Sequence, residues 1–410
     1  MKIEETMSFD QSLSLDESNL SPKRLRIAVL NRVFSPTGGG AERYSIALVE
    51  QLSALHEIHV YAQEIDHHCP GVQYHRISIP TRKPRWVNQL WYGVATWWAT
   101  RQGFDIVHSH ENTWHGDVQT IHVLPMKYNL FNGCEGLRLA VRWLGALTSP
   151  RVLAYLTMER ARFAVRACKK VVAISPSLLD LLAQVYPTCV PMLTVISPGV
   201  HRPRNPLPAP VARLALGLPL AGRLIAFVAN DYEKKGLGTL LKALVVMPPD
   251  VGVVVVGNPI HIKSFREQAV VLGVAARVFF LGHLQDVSPL YQAVNVMAHP
   301  TLEDTFAMVV LEAMAAGLPV VLSGAQYCGI ARLLDEGVNG LILASPTDER
   351  ELAEKLMLVF SDATTRNALG EGARHFAESW SWPHVAARYE SLYLEIYRAS
   401  GRKASKPVPA

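Results

Sequence analysis

Short apolar runs alternate along this chain with stretches in which apolar residues recur every third or fourth position. The run Arg26-Ile27-Ala28-Val29-Leu30 predicts a first buried strand. Residues 31–40 form a loop ending in Gly38-Gly39-Gly40, after which Ile46, Val49, Leu52 and Leu55 recur at helical spacing. Ile58-His59-Val60-Tyr61 predicts a second strand. Strand, glycine loop, helix and strand make a βαβ unit, which implies a parallel sheet with ligand near the strand ends. Further strands are expected at 105–108, 118–122, 171–174 and 193–196.

Prolines 198, 203, 206, 208, 210 and 219 then break both patterns, and residues 201–222 read as an interdomain linker. The pattern restarts with Leu224-Ile225-Ala226-Phe227-Val228, a charged loop and a helix from about Leu237. Strands follow at 251–256, 277–281, 294–297, 320–322 and 340–343, and helices at 351–360 and 365–378. Trp382, Tyr389, Leu392, Leu394 and Tyr397 predict a final aromatic amphipathic helix. The expected fold class is α/β, with two doubly wound Rossmann-like domains, 25–200 and 223–380, facing a cleft that suits a small ligand. Residues 381–400 are the last helix. Residues 1–24, Ser-rich and acidic, and 401–410 read as tails, the first disordered.

Composition narrows the partners. Hydrophobic residues are 49% and charged residues 18% of the 410, as in a globular protein leaning apolar. The net charge of +5 is too small to argue for nucleic acid and fits anionic nucleotides or an anionic membrane. Five scattered cysteines without a Cys-x-x-Cys suggest a reducing compartment, no disulfide framework and no zinc site. Neither a secretion signal nor a membrane-spanning run is evident, so a cytoplasmic location is expected.

Four segments could carry chemistry. Gly38-Gly39-Gly40 lets backbone N–H groups approach an anion, although a tight turn after a strand explains it equally well. Asn230-Asp231-Tyr232-Glu233-Lys234-Lys235-Gly236 puts two lysines at a strand end, able to neutralise a diphosphate or simply to be solvated. His108-Ser109-His110-Glu111 and His122 end successive strands, and histidine can donate to a hydroxyl or phosphate or shuttle a proton near pH 7. No third ligand with zinc-like spacing accompanies them, so no metal is expected there. Finally, Asp304 precedes an apolar helix and Glu312 lies in its second turn. A helix N-terminus suits a diphosphate, and the flanking acids suit sugar hydroxyls. A capped helix with a solvated Glu is the plain alternative.

Taken together, the block His299 to Val321 resembles the glutamate–seven residues–glutamate signature of retaining GT-B glycosyltransferases (group 1, family 4). Supporting marks are Ile174-Ser175-Pro176-Ser177, Ile196-Ser197-Pro198-Gly199-Val200, Phe280-Leu281-Gly282-His283 and Gly337-Val338-Asn339-Gly340. The phrase Val228 to Gly236 and the Pro198-Gly199 step look most like the lipopolysaccharide core glucosyltransferase I subfamily. The resemblance implies catalytic roles for Lys235, Lys234, His122 and Asp304, and donor contacts at Gly39, Gly40, Asn230, Gly257, Thr305, Phe306, Ala307 and Glu312. Asp304 would meet the donor sugar, Glu312 the ribose, and Lys234 with Lys235 the diphosphate. It also implies a last helix crossing back onto the N-terminal domain. Asn230 stands where many members carry Arg, and Asp304 where they carry Glu, a side chain shorter by roughly 1.5 Å of reach.

The absence of Asp-x-Asp fits a metal-independent enzyme with no cofactor beyond a nucleotide-sugar co-substrate, most simply a UDP-hexose such as UDP-glucose. Attack would be on the same face, assisted by the diphosphate, onto a lipopolysaccharide core or other lipid-linked glycan. Rival readings are a GDP-mannose-dependent mannosyltransferase, a catalytically inactive sugar-nucleotide-binding protein, and an NAD-dependent oxidoreductase, which should carry a dinucleotide fingerprint that is missing here. Between residues 120 and 170 stand nine Lys or Arg, interleaved with Tyr128, Leu130, Phe131, Trp143, Tyr155 and Phe163. With Trp86, Trp91, Trp97 and Trp98, this predicts peripheral contact with anionic lipid at the inner face of the cytoplasmic membrane. Core aromatics beside a solvated basic face would give the same pattern.

Overall fold

The computed structural model describes residues 24–36, 38–203 and 206–401. The tails expected at 1–24 and 401–410 lie, but for residues 24 and 401, outside the described residues, as does Thr37 of the glycine loop.

Two parallel sheets organise the chain. In the first, the strand order by leading residue is Gln73, Glu57, Arg26, Ile106, Val118, Lys170, Leu193. In the second it is Val278, Val251, Arg223, Val296, Val320, Leu341. Each is doubly wound, so the order reverses between the first strand and the one that starts the return. The paired strands run parallel throughout, as in Ile27 opposite Ile106 and Ile225 opposite Val296. Parallel strands are covered on both faces, which is why their sequences are near-continuous Val, Ile, Leu and Ala. Val251–Gly257 is buried at every position.

The reversal decides where the chemistry sits. At a switch point the two adjacent loops leave in opposite directions and open a crevice at the carboxyl ends of the strands. In the second sheet those loops are 230–236 and 300–307; in the first they are 31–39 and 110–117. The four candidate segments therefore cluster because of topology.

The linker needs revision. Residues 201–222 contain the helix Ala209–Ala215, with Pro208 at its N-cap and Pro210 in its first turn. The first turn has no use for backbone N–H donors, so proline marks a helix start here. Arg213 of this helix is buried and donates to the carbonyls of Ala293, Leu220 and Gly222, tying the segment to the C-terminal sheet. Leu55 also departs from expectation: the helix ends at Leu52 and Leu55 is 45% exposed.

The last helix, Trp382–Ala399, returns to the N-terminal domain and packs on the helix Gly40–Leu52. Its buried Tyr389 hydroxyl lies 2.9 Å from those of Tyr44 and Thr120, and Tyr393 OH lies 2.7 Å from His108 Nδ1. Lys170 pairs with Glu395 at 2.9 Å at the edge of this seam. Among the described residues, no helix is long and apolar enough to cross a membrane.

Candidate active site

The loop after strand Arg223–Ala229 and the loop after Val296–His299 are interlocked. Gly236 has φ +82°, and a Cβ there would stand 2.0 Å from the Pro300 carbonyl oxygen. Glycine is required both for the backbone angle and for this approach. Leu302 N donates to Lys234 O at 2.8 Å, continuing the interlock.

Asp304 is the hub of these loops. Its Oδ1 accepts from Phe306 N at 3.2 Å and from Ala307 N at 2.7 Å. Its Oδ2 accepts from Lys235 Nζ at 2.8 Å and faces the buried His299 Nε2 at 3.1 Å. Burial alone would push the carboxyl up, but the His299 hydrogen bond and the Lys235 ammonium outweigh it and hold it well below the usual carboxylate range. Both oxygens are thus committed to the protein, an arrangement the predicted sugar contact did not foresee. Ala307, at the N-cap of Met308–Ala315, sits at φ +71°. A non-glycine residue there costs about 1–3 kcal/mol and persists only where its surroundings hold it. The Asp304 bond to Ala307 N is part of that hold.

Lys235 also donates to the Glu303 carbonyl at 2.6 Å, and its side chain is 22% exposed. Lys234 points outward, 58% exposed, with Nζ 3.6 Å from Glu303 Oε1. The two lysines therefore differ: Lys235 is held by two short hydrogen bonds and Lys234 is exposed at the rim, paired only loosely with Glu303. Asn230 is exposed at its strand end. Gly257 is buried with φ +143°, and a Cβ there would meet Ala229 O at 1.7 Å, so its role is close backbone packing behind the loop.

The two domains meet at this point. Thr305 Oγ1 donates to the His122 carbonyl at 2.7 Å. Gly40, first residue of its helix and preceded by Gly39 at the N-cap, lies so that a Cβ would be 3.7 Å from Met308 Sδ, the first residue of the opposing helix. Two helix N-termini, each with N–H groups that have no partner within its own helix, thus face one cleft. Phe306 is buried beneath the loop against Trp380. His122 Nε2 lies 2.9 Å from His110 Nδ1, and burial followed by the nearby Arg162 pushes its pKa down to about 3. Burial thus favours the neutral imidazole, which can donate or accept a hydrogen bond at the cleft.

Glu312 faces a cavity of about 640 Å³ between the domains, lined also by Arg43, Tyr291 and Met308. Its Oε1 is 3.1 Å from Arg43 Nη1, and its Oε2 accepts from Tyr291 OH at 3.1 Å. The structure thus brings Lys235, Asp304, Thr305, His122 and Gly40 together at the loop junction. It sets Glu312 one helical turn further along, in the cavity, joined to the junction through Met308. Arg43, Tyr291 and His299 had no role in the sequence reading. Arg43, three residues after Gly40 in the first turn, was the most accessible signal, because a helix start at a glycine loop aims that turn into the cleft.

Away from the junction, helix Gly136–Leu147 leaves Leu137, Val141 and Leu144 exposed by 81%, 61% and 64%. These lie on one face at i, i+4 and i+7, and exposed Arg138 and Arg142 flank it. Two of the nine basic residues counted toward this surface turn inward instead, as does the acid Glu159. Arg162 and Lys169 are buried, and Glu159 accepts from the N–H groups of Met126 and Lys127.

Known proteins share this plan. The family description "Glycosyltransferase Family 4" matches residues 38–204 and "Glycosyl transferases group 1" matches residues 212–376. The chain is 28% identical to the lipopolysaccharide glucosyltransferase WaaG of Escherichia coli over 257 residues, 60% of this chain and 68% of that one. It is 33% identical to the D-inositol 3-phosphate glycosyltransferase of Saccharomonospora viridis over 235 residues, and there it spans about half of the relative's length. The crystal structure of WaaG superposes with a TM-score of 0.77 over 90% of this chain and 99% of that one, at 22% identity. That of Anabaena Alr3699/HepE in complex with UDP-glucose superposes at 0.69 over 91% and 100%, at 18% identity. With both matched regions falling on the two doubly wound units, the chain belongs to the group 1 and family 4 glycosyltransferases of the GT-B fold, and it is a glycosyltransferase of WaaG-like type.

Proposed function

We propose that the protein transfers a hexose, with retention, from a UDP-hexose to a lipid-linked glycan of the lipopolysaccharide core type. The observation that carries this reading is the fixed Lys235 ammonium at the switch point, beside the helix terminus at Met308 and across from the terminus at Gly40. An ammonium and two helix termini together supply the positive field that a departing nucleoside diphosphate requires, without a metal or other cofactor. The bond from the anomeric carbon to the diphosphate breaks, the acceptor oxygen bonds to that carbon on the same face, and the acceptor proton passes to the leaving phosphate oxygen. Glu312 holds the ribose. Asp304 acts chiefly by placing Lys235 and the 304–307 backbone, so the sugar hydroxyls meet that backbone and Thr305. The exposed apolar face of Gly136–Leu147 with Arg138 and Arg142 rests on anionic lipid, which brings a membrane-borne acceptor to the N-terminal domain at the cytoplasmic face.

The test offers UDP-glucose, UDP-galactose and GDP-mannose in turn, with lipopolysaccharide core as acceptor, in the presence of a chelator. Transfer from UDP-glucose is expected, and Lys235→Ala should lower kcat about a hundredfold. Turnover with GDP-mannose alone, or an unchanged Lys235→Ala enzyme, would overturn the assignment. The several inositol phosphate glycosyltransferases among the relatives support one second reading, a phosphorylated cyclitol as acceptor. Transfer to inositol 3-phosphate but not to core glycan would favour it.

A further inference from the structure

Three side chains able to ligate a metal converge on the N-terminal domain beside the cleft. Glu50 stands near the end of the helix Gly40–Leu52, and His67 and Cys69 follow the short strand Glu64–Ile65. One ligand atom from each lies within 4.8 Å of the others, and His67 Nε2 is 3.0 Å from Glu50 Oε1. Among the described residues this is the one grouping of three such donors close enough to share an ion.

We infer that Glu50, His67 and Cys69 form a zinc-type divalent transition-metal site, separate from glycosyl transfer. One thiolate, one imidazole and one carboxylate are the mixed donors that zinc accepts, at bond lengths of about 2.3, 2.0 and 2.1 Å. A tetrahedron with those bonds sets its ligand atoms about 3.3–3.6 Å apart. The His67–Glu50 edge is already close to that. From the 4.8 Å limit, the sulfur edges close with a contraction of about 1.3 Å at most, estimated from the same bond lengths. The Glu50 and His67 side chains can supply that contraction, being 38% and 31% exposed.

Cys69, at 6% exposure, is the fixed anchor, and its backbone N–H donates to Tyr74 OH at 2.7 Å. Buried sulfur below and exposed carboxylate and imidazole above give an ion both a seat and an entry path. Three protein ligands leave the fourth position to water, as in an exchangeable rather than a closed site. Thiolate and carboxylate together balance the charge of the ion. A thiol ligates only as the thiolate, so metal uptake expels its proton.

The position gives the site a consequence. Glu50 also lines the interdomain cavity with Arg43 and Glu312. A bound ion would draw Glu50 out of that cavity and fasten the helix end to residues 67–69, at the margin of the donor cleft.

The full chain, stripped with a chelator, is titrated with Co²⁺ and followed by absorption, then with Zn²⁺ in two buffers of different ionisation enthalpy. One equivalent of cobalt with a thiolate-to-metal charge-transfer band is expected, displaced by zinc, with about one proton released per zinc. Cys69→Ser should lose the band, Cys134→Ser should keep it, and His67→Ala and Glu50→Gln should each weaken affinity at least tenfold. No band in the parent protein, a band that survives Cys69→Ser, or zinc affinity unchanged in both His67→Ala and Glu50→Gln would overturn the site. Should Cys69→Ser fail to fold, the two exposed positions decide the matter alone.

Discussion

Replacing Asp304 by Asn or Ala separates a structural fastener from a sugar ligand. Asn keeps an oxygen for the Phe306 and Ala307 N–H groups but presents an amide to Lys235 and His299; Ala removes both functions. A charge-assisted hydrogen bond contributes about 1.5–3 kcal/mol, and a buried nitrogen left unpaired costs about 1–3 kcal/mol. Lys235 keeps the Glu303 carbonyl and is partly exposed, which discounts its share. Asn should therefore destabilise the protein by about 3 kcal/mol. Ala should cost about 1 kcal/mol more, because the helix cap goes too. Urea denaturation of the three proteins measures both numbers. The carboxyl is depressed in the folded state, so its contribution is complete above its unfolded pKa of about 4 and falls away as pH drops below that. The wild type should lose stability below that pH more steeply than the Asn variant. If Asn cost less than about 1.5 kcal/mol, the low end of one lost charge-assisted bond, while transfer collapsed, the carboxylate would be serving the donor and the fastener argument would be refuted.

Glu312→Ala should weaken UDP binding about tenfold, the cost of one charge-assisted hydrogen bond set, and calorimetric titration with UDP would show it; unaltered affinity removes the ribose role. Gly236→Ala drives a Cβ against Pro300 O at a positive φ, so soluble expression or thermal stability should fall sharply, and a normal melting profile would contradict the loop interlock. Val141→Glu with Leu144→Glu should lower sedimentation with anionic vesicles about thirtyfold, from about 1 kcal/mol of lost burial per side chain. Equal sedimentation would assign that helix face to something other than lipid.

Much of the architecture is readable from the chain because strands buried on both faces need continuous apolar runs and the turns between them need glycine or proline. The strands Arg26–Leu30 and Val251–Gly257 follow that logic, and the helix that carries Glu312 is marked by the Gly317-Leu318-Pro319 that ends it. The misreadings have the same cause: local pattern says nothing about what a residue meets. Pro208 and Pro210 start a helix, and Leu55 falls past the end of one. Arg162, Lys169 and Glu159 look like surface charges until their partners, Gln119, the Arg162 carbonyl and the Met126 N–H, are known. The same holds at the site. Asp304 sits 69 residues from Lys235, and Arg43 sits 269 from Glu312. Neither pairing leaves a spacing signature. Cys69 is equally mute, since Glu50 lies on a separate element.

The returning helix has a temporal consequence. During synthesis the first domain emerges with its sheet complete, yet the groove that Tyr389 and Tyr393 will fill stays empty until about two hundred further residues have been made, roughly ten to forty seconds at ordinary elongation rates. The early half must endure that wait with Tyr44, His108 and Thr120 unsealed, so ribosome-bound chains should be protease-sensitive in the first domain long after its last strand has appeared.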